Sequence, residues 1–212
     1  MKRKLLILAI VFIGFLVCFS VSAVTTNWFD VENKNIFDLI KSSFDRTESD
    51  VIVTVNGEKI YRQTVEILLK GKEISAKSLE NTEYYEGPID KEVAIEEIIN
   101  ESIRDIVVRQ EAEKKGLKAD YETAKKDAIE AYNMVKEENA ENYQFLLEYM
   151  KVMDYSEEEY LEIVVDGYIN MYTRANHYDW FVEGKTGTYD QLVEEYEEYV
   201  QTLIEKANIV YK

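Results

Sequence analysis

The 212-residue sequence predicts a mainly α fold, a set of helices closed by a small β-ribbon and preceded by an N-terminal transmembrane or signal helix. Three observations predict it. VIVTVNGEKI at 51–60 reads as a β-branched strand running into a tight turn, and ANIVYK at 207–212 offers a second strand-like stretch. Between them, apolar residues recur at three- and four-residue steps in several capped segments. Ahead of both lies an uncharged apolar run.

That run is LLILAIVFIGFLVCFSVSAV, residues 5–24, preceded by Lys2, Arg3 and Lys4. A cationic start, an apolar stretch and the small-residue end Val21-Ser22-Ala23 make a signal peptide, and the run also has about the 20 residues that a bilayer crossing needs. Cleavage after Ala23 and retention as a signal-anchor both stay open, the length of the run leaning to retention. Cations ahead of the run place the N-terminus inside and the remainder outside. Residues 25–50 are expected to carry a short juxtamembrane helix through Ile36, Phe37, Leu39, Ile40 and Phe44, then a DRTESD spacer.

Residues 51–212 form the expected globular part. Val51, Val53 and Val55 alternate along a strand, and Asn56-Gly57 suits a two-residue hairpin turn needing two positive φ angles. A helix follows through Val65, Leu68 and Leu69, then a loop at 78–90 holding Tyr84, Tyr85 and the sole proline, Pro88. Asp90 caps a helix with Ile95, Ile98, Ile99, Ile103, Ile106 and Val107 on its apolar stripe. Gly116 and Leu117 supply a Schellman stop. Asp120 caps the next helix, through Ala124, Ala128, Ala131, Tyr132 and Val135; the stripe weakens at 137–142 and resumes at Leu146, Leu147 and Met150. Ser156 and Glu159 make a capping box, with Tyr155 and Tyr160 as its staple, opening a helix expected to bury Leu161, Val164, Tyr168, Ile169, Met171 and Tyr172. Two glycines in EGKTGTYD break the pattern before a last helix through Leu192, Val193, Tyr196, Val200, Leu203 and Ile204. A lone hairpin is marginal in water, so the terminal strand at about 208–211 is expected to pair with 51–55.

Charge narrows the function. Removing the three N-terminal cations from the formal −17 leaves −20 on the remainder, which excludes nucleic acid as a natural partner. No spaced acidic loop for calcium occurs. Cys18 is the only cysteine, and Leu16-Val17 before it disfavour a lipoprotein signal. Without cysteine after residue 24 that part is held by packing alone. His177 is the single histidine, a poor metal set by itself and better read as a structural residue near Trp180. Paired glutamates fall on polar helix faces, and no nucleophile elbow or phosphate-cradling loop is present. No cofactor, metal or catalytic residue is expected.

VTVNGEKI followed by a helix, then AIEEIINESIRDIVVRQEAEKKGLKADYETAKKDA at 94–128, resembles the N-terminal chaperone domain of the SurA and PrsA type. The carrying positions are Val108, Glu111, Ala112, Gly116, Leu117 and Lys118, with Ala119-Asp120 where the family has Val-Ser. YSEEEYLEIV at 155–164 and the closing YEEYVQTLIEKANIVYK are similar to later pieces of the same domain, so the resemblance spans about 51–212. Tyr61-Arg62 stands where the family has a small hydroxyl cap. Full-length relatives carry a parvulin prolyl isomerase domain between the middle helices and the last one; here the interval is only VEGKTGTYD. The resemblance therefore implies an extracytoplasmic, ATP-independent holdase for unfolded or partly folded exported polypeptides, not an isomerase.

Sixteen tyrosines and the methionines Met134, Met150, Met153 and Met171 are the unusual feature. Tyrosine gives contact area with few rotors to freeze, and methionine adapts its shape. Tyr143, Met150, Met153, Tyr168, Met171 and Tyr172 are the expected client-facing wall. A membrane-anchored module for one specific partner is the alternative; an isomerase relative with residual activity is a third.

Overall fold

The structure, a computed structural model, describes residues 47–79, 87–138 and 140–212. The apolar segment 5–24 with Cys18, the juxtamembrane helix and the Tyr84-Tyr85 pair lie outside the described residues. Among the described residues no helix is long and apolar enough to cross a membrane. The end of the DRTESD spacer is a 3-10 turn, Glu48–Asp50, in which the Thr47 backbone N–H donates to Asp50 Oδ2 at 2.7 Å.

Strand β1 (Val51–Val55) and strand β2 (Glu58–Tyr61) make the expected hairpin, with Asn56 at φ 49° and Gly57 at φ 88°. Both central residues are left-handed, the type I′ geometry whose twist matches the strands. Strand β3 (Ile209–Tyr211) pairs antiparallel with β1, giving the order β2-β1-β3 and the register Val53↔Tyr211, Thr54↔Val210, Val55↔Ile209. The expected terminal pairing is present, one residue shorter than 208–211. Val51, Val53 and Val55 are buried on the helix-facing side, while Ile52 and Thr54 are half-buried.

Among the described residues there are six helices: α1 (Arg62–Leu79), α2 (Lys91–Lys114), α3 (Tyr121–Glu138), α4 (Ala140–Met153), α5 (Glu157–Val182) and α6 (Tyr189–Lys206). Their ends follow the local chemistry of the sequence. Asp90 accepts from the N–H groups of Glu92 and Val93. At the end of α2, Leu117 N–H donates to Ala112 O at 2.9 Å and Gly116 N–H to Glu113 O at 3.1 Å, with Gly116 at φ 74°, the paired bonds of a Schellman stop. Asp120 accepts from Thr123 N–H at 2.8 Å, and the Ser156–Glu159 capping box is complete. Those bonds, backbone N–H first, hold the Asp120 and Glu159 carboxyls below their ordinary range. A second capping box, Thr188 with Gln191, opens α6 and was not anticipated from sequence. Nor was the end of α4, which repeats the Schellman pattern with Asp154, at φ 54°, in the glycine position.

Two main cores result. One joins Val53, Val55, Ile60 and Val65 to Ile98, Ile103, Ile106 and Val107 of α2, with α6 against it. The other joins Ile67 to α3, α4 and α5 through Ala124, Ala128, Tyr132, Leu146, Tyr149, Met150, Tyr160, Val164 and Val165. Ile95 and Leu147, assigned to apolar stripes, are exposed instead. The stripe on α5 needs the larger correction. Of its six expected members only Val164 is buried, and the buried set is Tyr160, Ile163, Val164, Val165, Gly167, Asn170, Thr173 and His177. The reason is that α5 packs against both α3 and α2. Its side towards α2 and the connection after it carries small and polar residues, three of which have partners there: Thr173 Oγ1 accepts from Ala119 N–H at 3.0 Å, Asn176 donates to Leu117 O at 3.0 Å, and Arg174 pairs with Asp105. Hydropathy periodicity is blind to a seam of this kind.

A polar knot ties the hairpin to the rest. Asn56 Oδ1 accepts from Asn208 N–H at 2.8 Å, and its Nδ2 donates to Gln110 Oε1 at 2.9 Å. Gln110 donates in turn to Glu58 at 3.3 Å, and Glu58 pairs with Arg109, a buried guanidinium that also reaches Glu113 at 3.6 Å. The Asn-Gly-Glu sequence is thus explained by architecture: a left-handed turn, a tether for β3 and the counter-charge of Arg109.

Candidate functional site

The residues of the expected wall lie on α4 and α5, which both contribute to the tyrosine-rich core. Tyr168 and Tyr172, one helical turn apart on α5, have ring centroids 5.7 Å apart in an edge-on arrangement. Both are half-buried and pack on the core formed with α3 and α4. Tyr172 Oη donates to Asp127 Oδ2 at 2.6 Å, fixing that ring to α3. The bond to the carboxylate, with burial second, pushes the Tyr172 phenol up to about 12. Burial, with Asp127 and Glu130 nearby, raises Tyr168 as well.

Tyr143 of α4 is half-buried, its ring 6.2 Å from that of Tyr132 on α3. Met171 is half-buried on α5, and Met150 is buried in the core beneath these rings. Met153 closes α4, and its side chain is not among those described. Met134, grouped with the other methionines by sequence, stands apart on α3 with 54% of its surface exposed. Behind the wall Tyr149 and Tyr160 meet edge-on at 6.1 Å, and Tyr149 also lies 6.3 Å from Tyr155. The staple expected between Tyr155 and Tyr160 is therefore bridged by Tyr149. Desolvation lifts the phenols of Tyr149 and Tyr160 far above the ordinary range, so both are neutral, packing rings at physiological pH.

A second aromatic group joins α5 to α6. His177, Tyr178, Trp180 and Phe181 meet Tyr196 and Tyr199 across the helix pair, with Tyr178–Tyr196 at 5.0 Å and Phe181–Tyr199 stacked at 5.0 Å. Lys115 lies 3.9 Å over the Trp180 ring and Lys185 3.6 Å over Phe181, two cations on two ring faces. His177 is fully buried, as a structural residue beside Trp180, their rings 5.6 Å apart. The spacing that would have disclosed this group is in the sequence: HYDWF at 177–181 facing Tyr196 and Tyr199 three residues apart. Among the described residues no group of three or more His, Cys, Asp or Glu side chains is placed to hold a metal ion.

Half-buried and buried tyrosine side chains of α4 and α5 thus gather on the core these helices share with α3. In comparison with known proteins, the chain is similar to foldases. The relatives are the foldase protein PrsA from two strains of Clostridium perfringens, each 25% identical over 175 residues. The aligned part is 81% of this chain and 48% of each relative, so the chain spans about half the length of the proteins it matches. This likeness points to the PrsA/SurA-like family that the sequence motifs suggested. No family model matches the chain, and no solved structure matches it.

Proposed function

We propose that this protein is an extracytoplasmic, ATP-independent holdase that binds unfolded or partly folded exported polypeptides through a Tyr/Met-lined surface, without bond chemistry. In this reading residues 51–212 are the chaperone domain and 25–50 its spacer. Residues 1–24 are the tether to the membrane, or a signal whose removal releases the domain. The likeness to foldases supports the class. The observation that supports the mechanism is the half-exposed tyrosine pair Tyr168 and Tyr172, held on a capped helix and packed on the same core as Tyr143.

Rings fixed in this way lose little entropy when a client covers them, and each partial burial contributes only about 1–2 kcal/mol. Several such contacts retain a chain, and any one of them releases without fuel. Met150 backs the wall from the core, and Met153 stays in the proposed client-binding set. The acidic shell keeps a loaded chaperone soluble and repels its own copies.

The test is an aggregation assay with several unrelated unfolded proteins. Broad protection by the full chain is expected, weakened about tenfold in apparent affinity by Tyr168→Ser with Tyr172→Ser, equivalent to about 1.4 kcal/mol. Absence of protection, together with recovery of one partner by pull-down, would replace the holdase by a dedicated interaction module. Acceleration of proline-peptide isomerisation would replace it by an isomerase relative.

A further inference from the structure

We propose that His177 is an acid-responsive latch between α5 and α6, whose protonation loosens α6 and uncovers the aromatic rings at that seam. This holds or fails independently of the holdase reading. The only histidine of the chain has no solvent exposure. Its Nδ1 lies 2.9 Å from Tyr196 Oη, while Nε2 is buried without a hydrogen-bond partner. Around it stand Trp180 at 5.6 Å, Tyr196 at 5.7 Å and Tyr199, stacked, at 5.9 Å.

A neutral imidazole suits this box: one nitrogen is satisfied by a phenol, and the rings cover the rest. The imidazolium does not, because it carries two N–H donors and a full charge. The second N–H meets no acceptor. From α2, Glu111 faces the site but is engaged by Lys115 at 3.3 Å, and Lys115 itself covers Trp180. From α6, Tyr196 and Tyr199 are neutral phenols. Beyond Tyr196 the charges are already matched in pairs, Arg104 with Glu197 and Arg174 with Asp105. Desolvation accordingly depresses the His177 pKa, with Glu111 opposing and Lys115 reinforcing.

The sign follows from linkage. The unfolded imidazole titrates near 6.5, so below that pH the opened state binds a proton that the closed state excludes. The closed seam therefore weakens as pH falls below about 6.5, by up to about tenfold in its equilibrium constant per pH unit. Opening α6 strains β3, which follows it after only two residues and pairs with β1.

Trp180 is the built-in reporter. In full-length protein with Trp28→Phe, its emission is followed from pH 7.5 to 5.0 alongside the near-ultraviolet dichroism of the ring cluster. A reversible transition centred below pH 6.5, absent after His177→Gln, is expected. Hydrogen exchange on the unaltered chain, corrected for intrinsic rate, gives the second measurement. Protection of 189–211 should fall by up to about tenfold per pH unit while that of 121–138 holds. A midpoint at or above 6.5, a transition that survives His177→Gln, or uniform protection across that pH range would each overturn the latch.

Discussion

Asn56 concentrates three separate contributions in one side chain, and substitution separates them. Its backbone sits at φ 49°, its Oδ1 accepts from Asn208 N–H at 2.8 Å, and its Nδ2 donates to Gln110 at 2.9 Å. Alanine at a left-handed position costs about 1 kcal/mol. Each bond is at the solvent boundary, where water replaces the lost partner, so about 0.5–1 kcal/mol apiece is appropriate. Asn56→Ala should therefore lower stability by about 2–3 kcal/mol. Asn56→Gly, free of the backbone strain but looser when unfolded, should cost about 1–2 kcal/mol. Asn56→Asp, which keeps the acceptor for Asn208 and tolerates the left-handed region, should cost about 1 kcal/mol or less. Urea unfolding followed by helical dichroism measures all three at constant m-value. The order Ala, Gly, Asp from worst to least is the prediction. An alanine variant within about 0.5 kcal/mol of the parent would refute the turn as a tether for β3, since that is the range of a substitution away from any such feature.

Other outcomes follow from the same structure. Asp154 occupies a left-handed helix end at φ 54°, so Asp154→Gly should stabilise by about 0.5–1 kcal/mol, read as a raised urea midpoint. Ser156→Ala removes the cap that receives Glu159 N–H and should cost about 1 kcal/mol in the same assay. Tyr172 keeps its proton in the fold until about pH 12, whereas the unfolded phenol ionises near 10. Stability should thus decline as pH rises from 10 to 12, and Tyr172→Phe should flatten that part of the decline in pH-dependent thermal melts.

Local chemistry was readable and lateral packing was not. The Asn-Gly turn, the caps at Asp90, Asp120 and Ser156, the Gly116 stop and the pairing of Val51–Val55 with the terminal strand are all short-range or strongly patterned signals, and the structure contains each of them. Helix α5 departs because its second buried face includes Gly167, Asn170, Thr173 and His177, and the partners of the last two lie far along the chain, Ala119 for Thr173 and Tyr196 for His177. Asp154 was missed for a related reason: it stands where a glycine would have announced the turn. Of the candidate wall, Tyr168 and Tyr172 are expected both on the buried stripe of α5 and facing a client, and in the structure they are half-buried. Periodicity does not foretell that Met150 is buried in the core instead. The Glu58–Arg109 pair, joining residues 51 positions apart, leaves no local trace at all.

The sheet also has a consequence for how the chain is made. Asn56 and Asn208 are 152 positions apart, so the central strand acquires its second neighbour only after every helix has been synthesised. Such distant pairing is paid for in loop entropy before any contact rewards it, which slows folding. Until then the newborn hairpin has one open flank, and this protein passes its own youth in the aggregation-prone condition of a half-built sheet.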